Sequence, residues 1–242
     1  MNQVTKLKEN FKVIREQIAV TAQDFNRAAD SVALLAVSKI RTSEEILALA
    51  EQGQRHFGEN YVQEALKKIH TLRNHRLHWH FIGNIQANKT KAIAENFHWV
   101  HTLDREKVAR RLNEQRPKHL PPLNVCIAVN ISNESSKTGI PLEALPALAQ
   151  AIAQLPKLRL RGLMALPAPT NDYQQQRKPF KQLAQAAKQL QPSGIVFDTL
   201  SMGTTADYKA AIAEGATLIR IGTAIFGPRP QSEKNLMDNQ VG

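Results

Sequence analysis

The chain has 242 residues, 42% of them hydrophobic and 22% charged, which is enough to bury one large core or two small ones. No apolar run approaches the ~20 residues that a membrane-spanning helix needs, so no membrane partner is expected. The net charge is +11, but the basic residues are interspersed with acidic and apolar ones and form no block, so no specific nucleic-acid partner is expected either.

Eight short apolar segments recur along the chain, and a pattern typical of an amphipathic helix follows each of the first seven. An additional amphipathic helix is predicted at residues 4–20, before the first strand. The predicted strands lie at residues 32–38, 55–58, 78–83, 98–102, 124–130, 159–166, 195–201 and 218–221. The clearest helices between them are predicted at residues 43–52, 62–72, 105–115, 142–155, 180–190 and 206–215.

The alternation of strands and helices predicts an α/β fold of parallel βαβ units. Nearly continuous apolar runs, such as VALLAV at residues 32–37, are typical of parallel strands that are covered on both faces. Eight units in this length fit a single (β/α)8 TIM-type barrel with an extra N-terminal helix, although the pattern alone also allows a doubly wound open sheet. We expect one barrel domain at residues 1–230 and a polar, disordered tail at residues 231–242.

Both architectures place functional groups at the carboxyl ends of the strands, so the residues after each strand are candidates. The first predicted strand ends in Ser38 and Lys39. A lysine ammonium that is partly desolvated there gives up its proton more readily, and its amine can attack a carbonyl group. The competing interpretation is a lysine whose ammonium simply reaches the solvent.

Two loops near the end of the chain are candidates for binding a phosphate. The SMGTT loop at residues 201–205 leads into a predicted helix, with hydroxyl groups beginning at Ser201 and a close backbone approach allowed by Gly203. Gly222 and Thr223 offer backbone donors after the eighth strand, and barrels often bind phosphate after strands seven and eight. Ordinary N-capping of the helix by a threonine of the first loop is the alternative.

Three other features of the predicted strands place polar side chains where they are candidates for binding or catalysis. Arg220 lies in an otherwise apolar strand, where its guanidinium needs an acceptor from an ion pair or a ligand. His78 and His80 alternate and share a face, but no carboxylate or thiol lies at ligand spacing, so no metal site is expected. Glu59 and Asn60 place polar groups at the end of the second strand.

The compartment is inferred from the single cysteine and the N-terminal segment. Cys126 lies in the apolar run LNVCIAV and is interpreted as a buried hydrophobic residue. One cysteine permits no intrachain disulfide, and the first residues carry scattered charges rather than the apolar segment of a secretory signal. We therefore expect a cytoplasmic protein.

Seven motifs resemble those of the pyridoxal phosphate homeostasis proteins and occur in the order of that family between residues 32 and 227. The motifs are AVSK (36–39), FGENYVQEA (57–65), WHFIGNIQANK (79–89), SSKTGI (135–140), RGLMALP (161–167), SMG (201–203) and RIGTAIFG (220–227). One departure is the SMGTT loop, since the family usually has SMGMS, and we expect binding to survive it with altered affinity.

The resemblance implies the fold of the N-terminal barrel of alanine racemase and pyridoxal 5′-phosphate (PLP) held as a Schiff base on Lys39. Ser201 and the backbone around Gly203, Gly222 and Thr223 would then hold the phosphate group. The complete set of implied cofactor-binding residues is Lys39, Asn60, Ser201, Gly203, Arg220, Gly222 and Thr223.

In the same way the resemblance implies a carrier of PLP with little or no catalysis. Arg220 would lie against the pyridine nitrogen, and because a guanidinium only donates hydrogen bonds it would keep that nitrogen unprotonated and weaken carbanion chemistry. Racemases of similar fold catalyse their reaction with an arginine at this position, so the arginine alone does not exclude catalysis, but they also use a tyrosine from a second domain, for which these 242 residues leave no room. No residue is therefore assigned a catalytic role.

Two other functions stay open at this point. A PLP-dependent racemase or lyase would need a general acid or base, for which only His80 and Lys89 suggest themselves. A nucleic-acid-associated protein would use the charge of +11 and bind in a salt-dependent manner. The expected partners of the carrier are PLP itself and PLP-dependent apoenzymes as recipients, and the protein is expected to be a monomer.

Overall fold

A computed structural model of the chain describes residues 2–132, 138–190 and 194–228. They form a closed barrel of eight parallel strands in sequence order, in which β8 pairs with β1, so the predicted barrel is confirmed. The strands are β1 (Ala33–Val37), β2 (His56–Glu59), β3 (His78–Phe81), β4 (Trp99–Leu103), β5 (Leu123–Ala128), β6 (Leu158–Met164), β7 (Thr199–Ser201) and β8 (Leu218–Ile221). The expected tail at residues 231–242 and part of the SSKTGI motif lie outside the described residues.

Helices connect the strands and form an outer ring around the barrel. They are α1 (Gln3–Asp24), α2 (Ser43–Glu51), α3 (Val62–Thr71), α4 (Thr90–Asn96), α5 (Glu106–Gln115), α6 (Leu145–Ala153), α7 (Tyr173–Gln189), α8 (Tyr208–Ala213) and α9 (Thr223–Phe226). None of the helices within the described ranges is long and apolar enough to cross a membrane.

The N-terminal helix α1 completes the outer ring. The helix after β8, α9, has only four residues and covers little of the barrel, and α1 packs against α9, α2 and α8. Its buried stripe is Leu7, Phe11, Ile14 and Ile18, at the spacing of one helical face. Each such side chain contributes ~1.5–3 kcal/mol when fully buried, so α1 is part of the domain core.

Two predicted elements differ from the structure. The seventh strand is shorter than predicted and begins at Thr199, because residues 195–198 join no ladder and Val196 is 70% exposed. Helix α7 begins at Tyr173, earlier than predicted, where Asp172 accepts a hydrogen bond from the amide of Gln175 at 2.8 Å, and it continues through Pro179. The apolar pattern of residues 180–190 marks only the buried part of that helix.

Cys126 is completely buried in β5, as the sequence predicts. Burial raises the pKa of its thiol to about 12, which leaves almost no thiolate at neutral pH. We therefore expect the native protein not to react with a thiol reagent such as dithionitrobenzoate, and one thiol to react after unfolding in urea. Rapid reaction of the native protein would show that the strand opens readily.

Candidate functional site

The candidate site is a cavity of about 330 Å³ at the carboxyl ends of the strands. This volume is at the lower end of the range of small-molecule sites. Five of the seven residues implied by the sequence line it: Lys39, Asn60, Arg220, Gly222 and Thr223. They come from the ends of β1, β2 and β8, so the barrel brings together residues that are as far apart as 184 positions in the chain.

The other two implied residues, Ser201 and Gly203, lie behind the cavity wall. Ser201 is fully buried, and its hydroxyl group contacts the guanidinium of Arg220. Gly203 has a φ of +94°, and a Cβ atom there would lie 2.6 Å from Cβ of Ala211 in α8. The structure thus requires glycine at this position for packing of the loop on the helix.

The backbone on both sides of Lys39 is held by two charged side chains of α3. Nζ of Lys68 donates to the carbonyl oxygen of Ser38 at 2.7 Å, and the amide of Ile40 donates to Oε1 of Glu64 at 2.7 Å. Both peptide groups that flank Lys39 are therefore bonded to one buried cluster, which limits the directions in which the lysine can point.

This cluster is completed by Glu59 at the end of β2, and we call Glu59, Lys68 and Glu64 the acidic–lysine triad. Nζ of Lys68 lies 2.9 and 3.1 Å from the two carboxylate oxygens of Glu59, which also accepts a hydrogen bond from Oγ of Ser38 at 2.5 Å. Glu59 has no exposed surface, and burial raises its pKa to about 7 although Lys68 and Ser38 lower it. Removal of the lysine would leave a carboxyl group with no compensating charge.

The residue that follows Lys39 has an unusual backbone conformation. Ile40 has a φ of +64°, which costs a β-branched residue on the order of 1–3 kcal/mol. Two residues later Thr42 and Glu45 form a capping box that starts α2. The strained residue is thus held between the acidic–lysine triad and a well-capped helix, directly after Lys39.

Arg220 faces the cavity with part of its hydrogen-bonding capacity unused. Its Nη1 donates to the carbonyl oxygen and to Oγ of Ser201 at 2.6 and 2.8 Å, and Nη2 donates to the carbonyl oxygen of Ala165 at 2.9 Å. A guanidinium has five donors, so two are left, and no carboxylate within the described ranges forms an ion pair with it. Burial lowers its pKa to about 10, where it is still positively charged at neutral pH.

Asn60 adds an acceptor that has no partner. Its Oδ1 is buried, and no donor within the described part of the chain reaches it. Its backbone is fixed by Gly83, since a Cβ atom on that glycine would lie 2.0 Å from the carbonyl oxygen of Asn60. An orphaned buried acceptor and an incompletely bonded guanidinium that line the same cavity are typical of a site for a polar ligand.

The SMGTT loop differs from its prediction in one respect. It does not lead straight into α8, because a turn over residues 205–207 intervenes. The Asp207 carboxylate accepts hydrogen bonds from the amide and the hydroxyl of Thr204 at 2.6 and 2.8 Å and closes this turn. Thr204 and Thr205 nevertheless line the cavity, so the loop contributes hydroxyl groups to it while the amide of Thr204 is already occupied.

One residue that lines the cavity was missed by the sequence reasoning. His101 lies in β4 with no exposed surface, and its Nδ1 lies 2.8 Å from Oγ of Ser201. Burial, followed by the charge of Arg220, lowers its pKa to about 3, so it is a neutral imidazole. The available signal was a polar residue inside a strand whose other inward positions are apolar.

The two acid–base candidates of the sequence do not line the cavity. His80 is fully buried below it, and both its ring nitrogens are bonded to other histidines. Lys89 ends a 3₁₀ helix that precedes α4. Among the described residues, no three histidine, cysteine or acidic side chains converge so as to hold a metal ion.

Comparison with known proteins identifies relatives over almost the whole chain. The family model described as the N-terminal domain of alanine racemase matches residues 5–230. A protein of Vibrio cholerae named pyridoxal phosphate homeostasis protein is 51% identical over 230 residues, which cover 93% of this chain and 98% of that protein. The protein of the same name from Escherichia coli is 49% identical over 228 residues, covering 93% and 97%.

Among solved structures, the protein PipY of Synechococcus elongatus superimposes with a TM-score of 0.82 at 32% identity. The superposition covers 91% of this chain and all of PipY, and that structure was solved with PLP bound.

Proposed function

Because the chain belongs to the pyridoxal phosphate homeostasis proteins, within the family of the alanine racemase N-terminal domain, we propose that it binds PLP in the cavity at the carboxyl ends of its strands. The observation that carries the proposal is that Lys39, the unsatisfied Oδ1 of Asn60 and the two remaining donors of Arg220 line one cavity. These groups fit a ligand that has an aldehyde, ring heteroatoms and a phosphate.

In this proposal each residue has a role that its surroundings support. Lys39 forms a Schiff base with the aldehyde, since the acidic–lysine triad holds the peptide groups on both sides of it. Arg220 donates to the ring nitrogen with a free N–H group. Gly222 and Thr223, with the threonine hydroxyls of the SMGTT loop, hold the phosphate, and Ser201 acts from behind by holding Arg220.

We further propose that the protein carries PLP rather than catalysing a reaction with it. PLP supplies an electron sink when its ring nitrogen is protonated, and Arg220 can only donate to that nitrogen. His101 is the one imidazole among the described residues that line the cavity; both its nitrogens are engaged and its pKa is lowered to about 3, which makes it a poor base. The hydroxyl group of Tyr208 contacts Gln17 outside the cavity, so it is not placed to act as the catalytic tyrosine.

The proposal is tested by absorption spectroscopy of the purified protein with added PLP, followed by borohydride reduction and peptide mapping. We expect a red-shifted absorption band and a reduced label on Lys39. In Lys39→Ala the band and label should disappear while part of the PLP affinity remains, because Arg220 and the phosphate loops are intact. Lys67→Ala, which removes an exposed lysine of α3, is the matched control and should behave as the parent.

Two outcomes would contradict the proposal in different ways. Absence of the band from the parent protein would exclude PLP binding on Lys39. The first variant to test would then be one in which the SMGTT loop is replaced by SMGMS, the sequence usual in the family. Turnover of alanine or other amino acids by the PLP-bound protein, absent from Lys39→Ala, would show an enzyme instead of a carrier.

We propose PLP-dependent apoenzymes as the recipients of the cofactor, a monomer as the functional unit and the cytoplasm as the location. Cys126 is buried and unpaired in a disulfide, which is compatible with a reducing compartment.

A further inference from the structure

The residues that follow β8 are attached to the loop after β1 by an arginine side chain. We call residues 222–228, which contain α9, the α9 segment. Nη2 of Arg41 donates to the carbonyl oxygens of Gly227 and Pro228 at 2.7 and 3.2 Å. The guanidinium carbon also lies 5.4 Å from the centre of the Phe226 ring. Arg41 therefore contacts three consecutive residues at the end of the α9 segment.

Arg41 is itself anchored at its guanidinium and at its backbone. Its Nη1 lies 3.8 Å from Oε1 of Glu45, and the other carboxylate oxygen of Glu45 accepts a hydrogen bond from the amide of Thr42 in the capping box of α2. The amide of Arg41 donates to the carbonyl oxygen of Ser38 at 3.0 Å. Only 10% of the Arg41 side chain is exposed. The arginine is thus a built part of the loop that contains the candidate lysine.

Helix α1 holds the α9 segment from another direction. Nδ2 of Asn10 donates to the carbonyl oxygen of Ile225 at 3.1 Å, and Ile225 has no exposed surface. Asn10 and Arg41 together bond three carbonyl groups of the segment. A helix of four residues is not stable by its own hydrogen bonds, so side chains from outside it determine where it lies.

The beginning of the α9 segment lines the ligand cavity. Gly222 and Thr223 line that cavity together with Lys39, whereas Arg41 does not. A Cβ atom on Gly222 would lie 3.5 Å from Cβ of Val37, the last residue of β1. The α9 segment therefore lies directly beside the strand that leads to Lys39.

Backbone hydrogen bonds join the two ends of the α9 segment. The amides of Ile225 and Phe226 donate to the carbonyl oxygen of Gly222 at 3.0 and 2.9 Å, and the amide of Gly227 donates to that of Thr223 at 2.9 Å. A displacement of the end of the segment would therefore move the two residues that line the cavity. Arg41 can act on a ligand only in this indirect way.

We propose that Arg41 is a positioning residue that fixes the distance between Lys39 and the backbone of Gly222 and Thr223, and so makes the cavity selective for an aldehyde that carries a phosphate group. This inference rests on the proposed function, in which these two parts of the cavity hold the aldehyde and the phosphate of one ligand. In PLP both groups are attached to neighbouring ring atoms, so the distance between them is limited by covalent structure. A site that binds both must hold its own two halves at a matching distance, and Arg41 joins those halves.

Stabilisation of the fold is the competing explanation, since a basic side chain that bonds the last carbonyl groups of a helix also stabilises that helix. A purely stabilising role would weaken the binding of ligands with and without a phosphate group equally. The two explanations are therefore separated by comparing PLP with pyridoxal, which has the same ring and aldehyde but no phosphate group.

The test measures the dissociation constants of PLP and pyridoxal by absorption titration of the parent and of Arg41→Met. Methionine keeps an unbranched side chain against Phe226 and removes the donors to the two carbonyl groups. We expect PLP to bind the variant about tenfold more weakly and pyridoxal to bind within about twofold of the parent. Arg41→Lys, which retains a charged donor, should bind PLP within about threefold of the parent.

A second variant and a control accompany Arg41→Met. Asn10→Ala removes the donor to Ile225 and should weaken PLP about threefold while leaving pyridoxal unchanged, so the inference is tested even if Arg41→Met does not fold. Lys8→Met removes one positive charge whose partner, at 3.1 Å, is Glu51 of α2. This control should bind both ligands as the parent does.

A titration of the ligand-free protein with inorganic phosphate, followed by NMR spectroscopy, needs no PLP. The amide resonances of Gly222 and Thr223 should shift in the parent, and about tenfold more phosphate should be needed for the same shift in Arg41→Met.

The inference is overturned if Arg41→Met and Asn10→Ala weaken PLP and pyridoxal equally, or if they leave the affinity for PLP unchanged. Failure of the proposed function is a different result, in which the parent forms no absorption band with PLP. The inference then stands only if phosphate shifts both amides in the parent and does so less readily in Arg41→Met, and any other phosphate result overturns it.

Discussion

Substitution of Lys68 by methionine is expected to lower the free energy of unfolding by about 3–5 kcal/mol at pH 8. Methionine preserves the length of the side chain but leaves the Glu59 carboxylate, which has no exposed surface, without its counter-charge. The change also removes the hydrogen bond to the carbonyl oxygen of Ser38 beside Lys39. Thermal unfolding followed by circular dichroism should show a fall in Tm of roughly 10 °C.

The pH dependence of this loss identifies its cause. As the pH falls, the unpaired Glu59 is expected to take up a proton, since burial raises its pKa and Lys68 no longer lowers it, and the difference between variant and parent should shrink at pH 5. Lys67→Met, at the exposed neighbouring position, should leave Tm within about 1 °C of the parent. A loss that is equal at pH 5 and pH 8 would indicate that packing, and not an unpaired charge, is responsible.

Acidification is expected to destabilise the parent protein steeply below pH 6.5. Burial lowers the pKa of His56 and His98 to about 4, that of His101 to about 3 and that of His80 well below 6.5, so the unfolded chain takes up these protons first. Their contribution to stability is complete above pH 6.5 and is lost as pH falls. Each histidine contributes a slope of about 1.4 kcal/mol per pH unit.

One buried group opposes this trend. The pKa of Glu59 is raised, so its contribution to stability is complete below its ordinary pKa of 4.5 and is lost as pH rises through 7. Four histidines against one glutamate leave a net slope of roughly 4 kcal/mol per pH unit between pH 6.5 and 4.5. Urea unfolding at a series of pH values measures this slope, and the protein should unfold by acid alone before pH 4.

The variant His98→Asn tests the contribution of a single histidine to this pH dependence. Nδ1 of His98 accepts a hydrogen bond from the amide of Trp79 at 3.1 Å, and the amide oxygen of asparagine can take its place. The variant should lose about 1.4 kcal/mol per pH unit of slope relative to the parent. Equal slopes in the two proteins would show that His98 titrates normally in the folded state.

Much of the architecture was predictable because it depends on periodicity. Buried parallel strands require long apolar runs, such as β1, and the helices between them require one apolar face, such as that of α1. The errors occurred where periodicity is absent. Residues 195–197 are apolar and were therefore predicted as part of a strand, yet Val196 is largely exposed and joins no ladder.

The candidate site was predictable only where strand ends are recognisable. Lys39 and Asn60 come directly after predicted strands or next to their ends, Arg220 interrupts an apolar strand, and the structure places all three around one cavity. The roles of Ser201 and Gly203 were harder to anticipate, because orientation behind or beside a cavity wall depends on the shear of the barrel and on the turn before α8. Their contacts with the cofactor stay a prediction.

By itself the sequence determined the order of the eight strands, the extra first helix, the family of the protein and the lysine that is expected to react. Those properties depend on local patterns of apolar residues or on short sequence motifs. Only the tertiary structure decided that Glu59, Lys68 and Glu64 meet beneath Lys39, and that three histidines from β2, β3 and β4 align through the barrel. Such contacts join residues on different strands and helices, and their geometry is set by closure of the barrel rather than by any pattern along the chain.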